Sequence, residues 1–216
     1  MGDLVSGRYP EHFPEDLYDG VPAQGPYRQT ISRGDCNTTA VTGAATQKPY
    51  VTACAVMLGD VINYVSFAIG TLAGTAGSTS FVVVYSAMPT SAAAATVLGV
   101  SATTTFTAGS NKIALTAPVV IAGTIGTNQG SANASAINSS MIVGVAIVEA
   151  WTTTGSQFDA MAGSASAFKG VLTGQVPLAT VLPTLGGTPP AVGASSGTTV
   201  TAPTTGLLPY IVLSRS

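Results

Sequence analysis

The sequence predicts an all-β fold: an antiparallel β-sandwich of jelly-roll or immunoglobulin-like type, preceded by an extended N-terminal arm. Three observations lead there. From Val51 onward, short runs of Val, Ile and aromatic residues alternate with Gly, Ser, Thr and Ala segments, the pattern of strands and turns. No heptad repeat or sustained helical period runs through them. Eleven of the sixteen charged residues fall in the first sixty positions. The chain therefore divides into a charged, Pro- and Tyr-bearing docking arm over residues 1–50 and a sandwich body over residues 51–216 with almost nothing that titrates.

Within the arm, Tyr9-Pro10, Phe13-Pro14, Val21-Pro22, Gly25-Pro26 and Lys48-Pro49 each push the residue before the proline toward extended geometry and forbid a helix through it. Tyr9, Phe13, Tyr18 and Tyr27 are large apolar groups that a solvated tail has little use for, so they are the expected anchors on a partner, with an arm wrapped on its own body as the alternative. The body predicts strands over Val51–Met57, Val61–Ile69, Ser80–Ser86, Lys112–Thr116, Val119–Ile125, Met141–Ala150 and Leu207–Leu213. Along the second, Val61, Val65, Phe67 and Ile69 are expected on one face. Phe81–Tyr85 and Met141–Val148 are apolar on both faces. They are the expected central strands, covered by a second sheet or by a neighbouring subunit. Ser91–Thr96, with four alanines, is too short for a free-standing helix and is read as loop. Residues 126–140 and 183–206 have no apolar period and are long loops.

Composition excludes several functions. Charged residues make up 7% of the chain and the net charge is −2, against about a quarter charged in ordinary soluble domains. No basic footprint for nucleic acid is present. The uncharged stretch from Val61 to Asn111 is broken by Gly74–Ser80, far short of the ~20 apolar residues a spanning helix needs, so no membrane partner is expected. The first residues lack the basic and apolar regions of a secretory signal, which points to synthesis and use in the cytoplasm or release by lysis.

Catalytic, cofactor and metal sites are all read as absent, and the chain is read as no enzyme. His12 is the single histidine, and an arm without regular structure cannot hold it against a nucleophile. Glu11, Glu15, Asp16 and Asp19 do not match a calcium loop, and two cysteines without a neighbouring histidine make no zinc site. Cys36 and Cys54 are close enough in sequence to bridge if the chain folds back between them; free buried thiols are the favoured state, with the bridge as the alternative. Arg33-Gly34-Asp35 is read as a turn. The sequons at Asn37, Asn133 and Asn138 mark exposed segments. Trp151 ends the Met141–Ala150 run; packing is its favoured role, with a sugar-stacking platform for a host glycan as the alternative.

Five segments in order, Gly59-Asp60-Val61-Ile62-Asn63-Tyr64-Val65-Ser66-Phe67, Gly70–Gly77, Phe81–Tyr85, Ala114-Leu115-Thr116-Ala117-Pro118 and Val143–Ile147, resemble a family of bacteriophage virion structural proteins, especially of phages infecting actinobacteria. The resemblance spans about residues 60–150. It implies a β-sandwich without catalytic residues, used as a head-decorating, minor capsid or minor tail protein. The expected partners are the major capsid protein, or tail proteins, and further copies of the chain in a trimer. The expected location is the virion. A tail or fibre subunit and a host-glycan-binding module stand as alternatives.

Overall fold

A computed structural model describes residues 27–30, 37–42, 46–57, 59–71, 77, 79–122, 140–152, 155–162, 178–202 and 207–215. Every named element is a strand: β1 (Tyr27–Gln29), β2 (Asn37–Thr42), β3 (Tyr50–Met57), β4 (Val61–Thr71), β5 (Phe81–Tyr85), β6 (Val97–Val100), β7 (Gly109–Val120), β8 (Ser140–Val148), β9 (Gln157–Ala162), β10 (Ala179–Val181), β11 (Leu207–Pro209) and β12 (Ile211–Ser214). They form two sheets. One has seven strands in the order β1-β12-β4-β9-β11, with β7 beside β4 and β2 beside β9; the other has five in the order β10-β3-β8-β5-β6. All pairings are antiparallel. The predicted all-β sandwich is the observed fold.

The two sheets meet over Tyr50, Cys54 and Val56 of β3, Ile62, Val65, Phe67 and Ile69 of β4, Val82 and Val84 of β5, Val143, Val145 and Ile147 of β8, and Ile211 and Leu213 of β12. Phe67 lies edge-to-face with Phe106 at 5.0 Å and with Phe158 at 5.7 Å, the geometry that aligns ring edges with ring faces. A second apolar cluster sits on the outer side of the five-stranded sheet. There Val51, Phe81, Val83, Tyr85, Ala146 and Val148 are packed by Met88 and Ala95 from the segment after β5 and by Leu182, Leu185, Ala194 and Val200 from the segment after β10. The region 183–206 thus forms none of the named strands in its described part, yet it roofs the sheet. That is why β5 is buried at all five positions: one face meets the other sheet and the other face meets the chain's own loops.

Several details depart from the sequence reading. The sheet starts before residue 51, because β1 and β2 lie within the stretch read as arm and pair with β12 and β9. The inward set on β4 is Ile62, Val65, Phe67 and Ile69, with Val61 only half-buried. Its register against β7 slips between Ile62 and Tyr64, where Ile62 faces Val119 and Tyr64 faces Ala114. An irregularity of this kind reverses the in-out alternation. Leu115 to Pro118 bulge out at that break, so Pro118, which lacks an N–H, withdraws no ladder bond there. The excursion reaches β6 instead: Leu115 bridges Ser101, and Thr116 Oγ1 donates to the Val100 carbonyl at 2.9 Å. Close packing fixes Gly144 on β8, since a Cβ there would lie 2.8 Å from the Ala87 carbonyl and 2.9 Å from Val51 Cγ1.

Candidate docking site at the root of the N-terminal segment

The chain enters the seven-stranded sheet at β1, and a set of polar contacts holds it at this entry. Arg28 faces Leu213 across the ladder and so shares the inward side of the sheet with that core residue. Its guanidinium meets Asp60 in a two-point contact, Nε to Oδ2 at 2.8 Å and a terminal nitrogen to Oδ1 at 3.1 Å. Both side chains are largely removed from water, at 19% and 10% exposure. A planar fork on a carboxylate is the geometry that offsets the cost of such burial.

Asp60 also organises the turn that carries it. Oδ2 accepts the Met57 N–H at 2.8 Å, the Asp60 N–H donates to the Met57 carbonyl at 3.1 Å, and Gly59 fills the third turn position at φ +90°, which glycine does at no steric cost. From the same turn, Gly59 N–H donates to the Ile121 carbonyl and Ile121 N–H to the Asp60 carbonyl, both at 2.8 Å. One carboxylate therefore ties β1, the β3–β4 turn and the end of β7 together. Thr30 closes the other end of β1: its hydroxyl donates to the Pro209 carbonyl at 2.7 Å and accepts the Ile211 N–H at 3.0 Å, while its own N–H donates to the Ile211 carbonyl at 2.9 Å. Sequence reasoning missed both clasps. Asp60 stood in the sequence as an isolated acid before a strand, and its partner lies 32 residues away.

Cys54 is buried, unbridged and close enough to this pair to feel it. Burial pushes its thiol up to about 12, with the Arg28 charge pulling it down and the Asp60 charge adding to the rise. Such a thiol is inert at neutral pH. The node positions backbone; nothing in it is a nucleophile held against a base.

A second polar corner lies where β8 ends. Glu149 is 5% exposed and accepts the Ser156 N–H at 2.9 Å and the Ser156 hydroxyl. Burial raises its pKa above the ordinary carboxyl value, and the two Ser156 contacts oppose the rise. Ser156 is itself fully buried, so this serine and acid cannot meet a substrate. Trp151 follows directly. Its N–H donates to Thr46 Oγ1 at 3.0 Å, its ring is half-buried, and its Nε1 is enclosed without a hydrogen-bond partner. Those features fit packing at the β8 corner, the role favoured for it from sequence.

Of the expected docking anchors, Tyr9, Phe13 and Tyr18 lie outside the described residues, and Tyr27 opens β1 opposite Ser214. The long loop expected at 126–140 also lies outside them, save Ser140, the first residue of β8. Among the described residues no group of three or more His, Cys, Asp or Glu is placed to hold a metal ion. No helix there is long and apolar enough to cross a membrane. Comparison with protein-family models and with curated proteins gives no match to this chain.

Proposed function

We propose that the chain is a non-enzymatic structural subunit of a bacteriophage virion, docked on the capsid as a decoration or minor capsid protein and associated as a trimer. The observation that carries the reading is the contrast between two parts of one chain. Residues 1–26 hold Tyr9, Phe13 and Tyr18 with five acids and one base. They lead straight into an edge strand held by the Arg28–Asp60 fork and the Thr30 clasp. A segment that bears load on a partner needs such a root, because force on three paired residues of β1 would otherwise peel the strand from the sheet.

The body supports the same reading through its surface. Along β7 the exposed positions are Gly109, Ser110, Lys112, Ala114, Thr116, Ala117, Pro118 and Val120, with one charge among them. A subunit held within an assembly escapes the charge requirement that keeps a free protein soluble.

The test is attachment to purified heads stripped of the chain. Deleting residues 1–26 removes the anchors Tyr9, Phe13 and Tyr18 but keeps Tyr27, Arg28 and the rest of β1, so the truncated body is expected to melt near the full chain and to lose attachment. Deleting 1–30 would confound the result by removing the fork as well. Undiminished attachment of the 1–26 deletion would overturn the docking role. Attachment to tails in place of heads would move the subunit to the tail.

A further inference from the structure

Three segments of the chain are tied to the end of β8 at a corner built around Glu149. The Glu149 carbonyl accepts the Gln47 N–H at 2.7 Å. Ala150 accepts the Gly77 N–H at 2.7 Å and donates its own N–H to Ser80 Oγ at 3.0 Å, and Trp151 donates its N–H to Thr46 Oγ1 at 3.0 Å. The Glu149 carboxyl group reaches forward to Ser156, where one oxygen takes the N–H at 2.9 Å and the other lies against the hydroxyl. Residues 46–47, 77–80 and 155–156 are thereby joined through three consecutive residues.

Glu149 and Ser156 are both buried, and among the described residues no Lys, Arg or His forms an ion pair with Glu149. The segments that make these bonds, 46–47, 77–80, 150–152 and 155–157, hold Thr, Gln, Gly, Ser, Ala and Trp and no titratable side chain. Lys48 and Asp159, next along the chain, are each half-exposed. An ionised carboxylate here exchanges its hydration for the bonds of one serine, which is costly. The neutral acid keeps its place, accepting the Ser156 N–H and donating to the hydroxyl. Burial accordingly raises the pKa of Glu149 above the ordinary 4.5, against the pull of Ser156. Strain sits at the same corner. Gln47, at φ +59°, is the one non-glycine residue with positive φ among the described residues, and it is pinned by the Glu149 carbonyl on its N–H and by the Leu185 N–H on its carbonyl. Such a conformation persists only where the surrounding bonds fix it.

We propose that the corner between β8 and β9 is a pH-sensitive latch, closed on Ser156 while Glu149 is protonated and loosened once Glu149 ionises. The folded state binds this proton more tightly than the unfolded chain does, so the closed corner is favoured at low pH and its hold weakens as the pH rises through the folded value. Ser156 leads directly into β9, whose first residues Gln157 and Phe158 pair with Thr42 and Val41 of β2 and with Thr71 and Ile69 of β4. Release of Ser156 therefore frays the start of β9 first, and with it the pairs that hold the end of β2. The latch does not depend on the docking role of residues 1–26.

Trp151 is the single tryptophan of the chain and is bonded into this corner, so its fluorescence reports on the latch directly. The test follows acrylamide quenching of that fluorescence in the full chain from about pH 4 to about pH 8. Hydrogen exchange at the Trp151 and Ser156 amides, corrected for the intrinsic pH dependence of exchange, is followed beside it. The wild type is expected to show a one-proton rise in both as the pH increases. Glu149→Gln, a neutral side chain of the same shape, is expected to stay at the low-pH level throughout, whereas a transition owed to His12 would persist in it. Ser156→Ala removes a bond that favours the ionised form and is expected to move the midpoint up by about one pH unit. A wild type without a transition, a transition that persists in Glu149→Gln, or an unmoved midpoint in Ser156→Ala would each overturn the proposal. Should Glu149→Gln fail to fold, the midpoint in Ser156→Ala decides alone.

Discussion

Removing the Asp60 carboxylate tests whether the root of β1 is held by charge. In Asp60→Ala, Arg28 keeps its position on the inward side of β1 but loses both contacts, and the Met57 N–H loses its acceptor. Stripping one partner from a fully buried pair costs about 3–5 kcal/mol. Arg28, at 19% exposure, can recover part of its hydration, so the loss falls at the lower end, about 3 kcal/mol. Asp60→Asn can keep one oxygen for the Met57 N–H and Arg28 Nε, but its NH2 then faces the terminal nitrogen of Arg28, so it loses the charge and one arm of the fork, for about 2 kcal/mol. In a chain of 216 residues each kcal/mol moves the melting temperature by about 2–4 °C, giving a drop of about 6–12 °C for Asp60→Ala. Urea denaturation of Arg28→Met, Asp60→Asn and the double variant isolates the pair itself. A coupling energy of about 1–2 kcal/mol is expected. A coupling below about 0.5 kcal/mol, the level of a solvent-exposed pair, would refute the claim that this fork braces β1.

Gly144→Ala puts a Cβ at 2.8 Å from a carbonyl oxygen and 2.9 Å from Val51 Cγ1, and overpacking of this kind costs about 1–3 kcal/mol, readable as a lower urea midpoint. Glu149 has a raised folded pKa, so the folded state holds its proton where the unfolded state has released it; stability from this group falls as pH rises from the ordinary 4.5 through the folded value. Glu149→Gln should flatten that fall in urea midpoints measured from pH 4 to 8, and an unchanged slope would exclude Glu149 as its source. Cys54, with its thiol at about 12, should resist alkylation at pH 8 in a Cys36→Ser background and react once the protein is unfolded.

The sequence was legible where strands are long and apolar. Tyr50–Met57, Val61–Thr71, Phe81–Tyr85 and Ser140–Val148 are found close to their expected places because runs of Val, Ile and Phe admit little else. β6 and β10 were missed because they have only four and three residues, and β9 because Gln157-Phe158-Asp159-Ala160-Met161-Ala162 mixes polar and small residues with the apolar ones. Their identity comes from what they pair with: Phe158 and Ala160 of β9 face the core only because β4 and β11 lie beside them. Leu207–Leu213 reads as one run yet splits at Tyr210, whose N–H donates to the Asp159 carbonyl, into β11 on β9 and β12 on β4. The Arg28–Asp60 fork was invisible for the same reason, since ladder register and not sequence proximity brings the two together.

The central proposal is that this chain is a subunit of a phage head. The most direct test of that proposal is mass spectrometry of heads and tails separated from purified particles of a phage whose genome carries the coding sequence. The account predicts the chain in the head fraction, in multiple copies per particle. Its absence from heads, with or without its presence in tails, would contradict that claim.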